Sequence, residues 1–276
     1  MSNLNVLTSD QIFKAAPAAF ATTQDSKLSS RYSPASTVEV LANLDAAGYK
    51  PVFAHQEARA KSGALTTHGK HLLKFVHEDN LTTAKKSVPQ IVLLNSHQGN
   101  SSLRLMAGQF RFVCANGLIV GDTKAQARFT HTGKLQDFIG GFATEFAARA
   151  SSLSDVLDGW TATQLNGAQV DWFARQALTL RFGPAVNNSF LNRYSVSEAT
   201  RVVRAEDIAN NLWTVFNRVQ EHLINGGLAG YAIGTGRRVS SKALTSVAGN
   251  TDFNARLWAL AAHTFKVLDS RNTATN

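Results

Sequence analysis

Six of the eight histidines fall in one stretch of the chain: His55, His68, His71, His77, His97 and His131. Neutral imidazole ligates metals and moves protons near neutral pH. The spacing does not organise them into a known metal motif. No H-E-x-x-H occurs, and the single cysteine, Cys114, has no partner for a thiolate site. Carboxylates are scarce here as well. Glu57, Glu78, Asp79 and Asp122 are the acids of this region before Asp137, whereas a two-metal nuclease needs several clustered acids. Neither G-x-S-x-G nor a Walker-type phosphate loop is present. The glycine-rich segment 226–238 follows a helical pattern and not a strand, so it reads as a loop or bent strand. No metal and no nucleotide cofactor is expected. An enzyme built on His97, Cys114 or His131 stays open, because catalytic groups can come from anywhere in a chain.

A second constellation is better matched to a partner than to a reaction. NSHQGNSS (95–102) is a turn of small polar residues. Asn95, His97 and Asn100 there can shape a phosphate-contacting turn, or simply reverse the chain. Arg104 and Arg111 follow, interleaved with Leu103, Leu105, Phe110 and Phe112. Lys61, Lys70, Lys74, Lys124 and Arg128 lie in neighbouring segments with the same sign. Tyr32, beside Arg31 in a polar arm, is placed to stack on a base. The whole chain carries +9. Residues 50–150 hold 13 basic and six acidic groups, net +7, against −1 before them and +3 after. A positive field confined to one region attracts phosphate backbones.

The elements that must position these residues are read from periodicity. Ile12 and Phe13 follow a capping signal at Ser9 or Asp10, and Pro17 stops that short helix. Ser36 or Thr37 caps a helix through Val40, Leu41 and Leu44, which ends at Gly48. Segments 50–58, 68–78, 88–97 and 102–113 have strand length and strand composition. They predict an antiparallel meander over about residues 50–121, with one face on helices and the other open. Helical spacing returns at Lys134–Leu157, from Thr163 through Leu180, from about Ala205 to Leu223, and from Thr251 to Leu268. Strands grouped before helices give an α+β fold. Residues 1–35 read as an N-terminal arm and 36–160 as a basic α+β core. Residues 161–276 are helical, either a separate domain or a layer of the same core. No run of about 18 apolar residues occurs, so no transmembrane helix is expected. A secretory signal is absent from MSNLNVLTSDQIFKAA, and a lone cysteine suits a reducing compartment. The expectation is a cytoplasmic protein.

SSRYSP (29–34), NSHQGNSS (95–102), GQFRFVCANGLIVG (108–121) and NRVQEHLINGG (217–227), with NARLWAL (254–260), together resemble a phage- and plasmid-encoded family, domain of unknown function 932. The resemblance spans most of the chain and implies a bacterial or mobile-element setting, with no settled activity to carry over. By element order and charge alone, the chain is also similar to ring-forming single-strand annealing proteins. The reading that follows is a protein that binds single-stranded DNA or anneals strands, without nucleotide cofactor and as an oligomer. Two alternatives stand beside it: a phage or plasmid factor that binds and blocks a host defence protein, and an uncharacterised enzyme.

Overall fold

A computed structural model describes residues 2–23, 25–28, 35–57, 64–83, 87–99, 101–111, 119–120, 126–129, 135–183, 194–232 and 235–274. The chain divides into two compact units, residues 1–154 and 155–276. The first contains β1 (Ser2–Asn3), α1 (Ser9–Ala15), α2 (Thr37–Ala46), β2 (Tyr49–Gln56), β3 (His71–His77), β4 (Thr82–Thr83), β5 (Ser87–Asn95), β6 (Arg104–Arg111), β7 (Ile119–Val120) and β8 (Gln126–Arg128). α3 (Leu135–Ala162) supplies residues to both units. The second continues with α4 (Gly167–Phe182), α5 (Val196–Ala199), α6 (Leu212–Asn225), β9 (Ala229–Tyr231), β10 (Arg238–Ser240) and α7 (Val247–Ala274).

Local chemistry sets the helix ends. Thr8 and Gln11 form a reciprocal capping box at α1, and Pro17 opens a 3-10 turn just beyond it. The Ser36 hydroxyl accepts from the Glu39 amide at the start of α2. Gly48 then turns the chain at φ +82°, against the His77 ring, where a Cβ would lie 2.8 Å from Nε2.

The sheet is antiparallel with β2, β3, β5 and β6 in order, and β7 and β8 both pair with β6. Leu73, Phe75, Ile91, Leu93, Leu105 and Ala107 form one core with Ile12 of α1, Val40 and Leu44 of α2, and Ile139, Phe142 and Phe146 of α3. Burial of each large apolar side chain contributes about 1.5–3 kcal/mol. The fold is thus α+β, a strand meander with an N-terminal helix and C-terminal helices.

The second face of the sheet is not open. Leu72, Lys74, Val76, Val88, Gln90, Val92, Leu94 and Met106 are all buried. The reason lies in composition: these positions are mostly apolar, and strands buried on both faces read as near-continuous hydrophobic runs. An open basic sheet is therefore ruled out as the platform.

The second unit centres on α6, where twelve of its residues from Leu212 to Ile224 are buried. Trp160, Trp213, Phe216 and Trp258 pack as one aromatic cluster, with centroids 4.5–6.5 Å apart. α6 starts at Leu212 and not near Ala205. The Asn211 side chain accepts from the Thr214 amide, and Ala205–Asp207 forms a separate 3-10 turn. Likewise α4 opens at Gly167 behind an Asn166 cap, not at Thr163, because α3 runs on to Ala162. The glycine-rich segment 226–238 contributes β9, which pairs with β10 in a small hairpin. Among the described residues, no helix is long and apolar enough to cross a membrane.

Candidate functional site

Antiparallel pairing brings five chain positions to one end of the sheet. β2 ends there at Gln56, β3 begins at His71, β5 ends at Asn95, β6 begins at Arg104 and β8 ends at Arg128. Three of the expected site residues, Asn95, Arg104 and Arg128, lie at this end. Lys70 and His97 adjoin it by one or two residues.

The inner part is a buried polar network. The Asn95 amide donates to the Ala35 carbonyl at 2.8 Å and to Thr37 Oγ1 at 2.9 Å, and its Oδ1 accepts from the Ser96 amide at 2.8 Å. Thr37 Oγ1 lies 2.9 Å from His71 Nε2, and His71 Nδ1 lies 3.0 Å from the Gly69 carbonyl. A carbonyl only accepts, so His71 Nδ1 carries the proton and Nε2 accepts from the Thr37 hydroxyl. Gln56 fastens the same region, accepting from the Ala18 amide at 2.9 Å and donating to the Thr66 carbonyl at 2.6 Å. Burial pushes His71 down to about 4, and nearby His97 adds to that, while the Gly69 carbonyl opposes it.

His97 is the outlier of this network. Its ring lies 5.6 Å from that of His71 and is 0% exposed. Its main chain is anchored: the amide donates to the His68 carbonyl, and its own carbonyl accepts from the Asp25 amide, both at 3.1 Å. Neither ring nitrogen has a hydrogen-bond partner among the described residues. Burial pushes His97 down to about 4, and His68 adds to the effect. The neighbouring Ala18 main chain opposes it. Each orphaned buried polar atom costs about 1–3 kcal/mol. A His97→Leu protein is therefore expected to unfold at higher urea at neutral pH, by roughly 1–2 kcal/mol. A loss of stability would show that the imidazole is satisfied after all.

Burial corrects the expected roles of three residues. Asn95 is 2% exposed and spends its polar atoms inside the network, so it does not offer a turn to phosphate. His97 is enclosed beside it. Lys74, 2% exposed, holds its ammonium 4.3 Å from the Phe53 ring centroid, an internal cation–π contact and not a surface charge. The sequence reading also missed the bridging role of Thr37 and the fastening role of Gln56. Their partners lie far away in sequence, so no local signal marked them.

The outer part is cationic. Arg104 and Arg128 are cross-strand partners in the β6–β8 ladder. Arg128 is exposed, Arg104 half-buried, and Lys70, which immediately precedes β3, is half-buried. Arg111 pairs with Ser87 at the far end of β6, about 23 Å from Arg104 at ~3.3 Å per residue. The two arginines of that strand thus do not form one site. Among the described residues no group of three His, Cys, Asp or Glu is arranged to hold a metal ion.

Comparison with known proteins places this architecture. The family described as Domain of unknown function (DUF932) matches residues 26–258. The chain belongs to the DUF932 family. It is 32% identical over 259 residues to the UPF0380 protein YfjQ of Escherichia coli (strain K12), covering 92% of this chain and 90% of that one. It is equally similar, with the same coverage, to the UPF0380 protein YafZ of the same organism. No solved structure matches the chain. In this DUF932 protein Asn95, Ser96 and His97 of the NSHQG stretch belong to the buried network, and NRVQEHLINGG forms most of α6 and its stop. Arg31, Tyr32, Lys61, Asn100 and Lys124 lie outside the described residues, as do Cys114 and His131, and of Arg111 only the main chain is described.

Proposed function

We propose that this DUF932 protein binds nucleic acid, foremost single-stranded DNA, by gripping the phosphate backbone at the Arg104–Arg128 end of its sheet. The observation that carries this reading is the cross-strand arginine pair. Two arginines directly opposite each other in a ladder can each give a phosphate a charge-assisted contact. The net +7 of residues 50–150 supports the reading by supplying the surrounding field. One sheet end reaches few nucleotides, so strand annealing by an oligomer is the natural extension.

The test is fluorescence anisotropy with a labelled single strand across a salt series, set against duplex. Wild-type affinity is expected to fall steeply with salt. Joint Arg104→Glu and Arg128→Glu substitution is expected to weaken binding about ten-fold or more, irrespective of sequence. It should also flatten the salt slope by about 1.4, at roughly 0.7 per lost single-strand contact. Arg128→Glu alone, at an exposed position, guards against misfolding and should show about half the slope change. Undiminished binding by both variants would remove the site. No binding by wild type at low salt would remove the function.

A further inference from the structure

We infer that a groove between the first turns of α4 and the last turns of α7 is a slot for a single nucleobase. The inference rests on the nucleic-acid reading but concerns a different moiety of the ligand, in a different unit of the chain. The groove encloses about 450 Å³ and is lined by Asn166, Gln169, Trp172, His263, Val267 and Leu268, among others. That volume falls in the ~300–1,000 Å³ range of small-molecule sites.

Trp172 is the first argument. The chain has four tryptophans. Trp160, Trp213 and Trp258 are buried in the aromatic cluster, whereas Trp172 is 44% exposed at the groove. An indole left in water beside a cavity is a stacking platform without its stack.

The amides are the second. Asn166 Oδ1 accepts from the Gln169 main-chain amide at 2.9 Å, and Gln169 Oε1 accepts from the Asn166 main-chain amide at 2.8 Å. This capping box engages both carbonyl oxygens and fixes both side-chain orientations, since a main-chain N–H requires an acceptor. Each amide therefore presents its NH2 group. Two fixed donors next to an exposed indole suit a flat ring with acceptors along its edge. The carbonyl oxygens and unprotonated ring nitrogens of nucleobases are such acceptors. Val267 and Leu268 supply the apolar wall that a second ring face needs.

The third argument separates base from backbone. An adjoining recess of about 450 Å³ shares Gln169 and Leu268 and is bordered by Asp269. Among the described residues, neither lining includes a lysine or arginine to hold a phosphate, so the uncharged base is the moiety that fits.

The experiment uses the intact protein and three probes: oligothymidine, an abasic strand of equal length, and the free nucleosides thymidine and adenosine. Stacking on Trp172 should quench part of the tryptophan emission when oligothymidine is added, and Trp172→Phe should diminish that quench. Trp172→Ala should weaken oligothymidine binding about ten-fold while leaving the abasic strand unaffected. If oligothymidine and the abasic strand bind equally and no emission changes, the base slot is overturned and the phosphate reading stands. If no strand binds but nucleosides quench wild type and not Trp172→Phe, the slot stands and the phosphate reading falls. If nothing binds, both fall.

Discussion

Acidification from neutrality to about pH 4.5 is expected to remove several kcal/mol of stability from the unit spanning residues 1–154. His71 and His97 are pushed down to about 4 in the folded chain, mainly by burial, whereas an unfolded histidine titrates near 6.5. Below about pH 6.5 the unfolded chain takes up protons that the native chain refuses. Stability therefore falls with falling pH across the window from about 6.5 to about 4, and levels off once the native histidines also protonate. Each shift is worth about 3 kcal/mol at full extent, at ~1.36 kcal/mol per pH unit. The two together approach the whole stability of a typical domain, about 5–15 kcal/mol. Ring proximity of 5.6 Å makes the second protonation harder than the first. His55, also lowered by burial, acts in the same direction. Urea midpoints measured by circular dichroism through this window should drop steeply, and His97→Leu should remove about half of the slope. Hydrogen exchange of the β3 and β5 amides would locate the loss. A flat profile would mean that the imidazoles are already charged or already exposed.

That network shows where sequence reasoning worked and where it did not. The Ser36 cap, the Gly48 stop and the four long strands are local features, carried by residues within a few positions of each other, and they read correctly. Asn95 and His97 have the composition of an outward turn. What turns Asn95 inward is Thr37 and Ala35, about 60 residues earlier, while His97 is held through its main chain by His68 and Asp25; local spacing carries no trace of such partners. Lys74 was read as surface charge because it is a lysine. Its strand, HLLKFVH, is apolar on both sides of it, and that continuous run was the available signal that neither sheet face is solvated. VPQIVLLN in β5 said the same. The helix starts near Thr163 and Ala205 were misplaced because good helix formers extend the periodicity backward, past the asparagines that cap. Asn166 with Gln169 is a reciprocal cap legible in sequence once a capping box is allowed to use Asn and Gln. Trp172 falls outside the set Phe173, Ala174, Ala177 and Leu178 that α4 buries, and helical periodicity marks only such buried positions.

Replacing Gly226 by alanine is expected to destabilise the unit spanning residues 155–276 by about 4 kcal/mol, whereas the same change at Gly227 should cost about 1. Both glycines have positive φ, +72° and +80°, so conformation alone does not separate them. Their surroundings do. A Cβ on Gly226 would lie 2.6 Å from the Ala243 nitrogen, 2.6 Å from the Lys242 carbonyl carbon and 2.7 Å from the Ser241 oxygen, while one on Gly227 meets nothing within 4 Å. Gly226 also caps α6 at ψ −156°, in a region open essentially to glycine alone. The opposing segment cannot retreat. Leu244 donates to the Ile224 carbonyl at 2.7 Å, and Gly227 donates to the Ser241 carbonyl at 2.8 Å. The Arg181 guanidinium donates to the Leu223 and Lys242 carbonyls, each at 3.1 Å, tying both sides together. A methyl group at 226 must break this clamp or unwind the end of α6, where Leu223 and Ile224 are buried. Urea midpoints of the two variants decide the matter: a deficit several-fold larger at 226 reflects the close approach of two backbones. Equal, small deficits would mean that residues 241–244 yield, and that the clamp is weaker than its hydrogen bonds suggest.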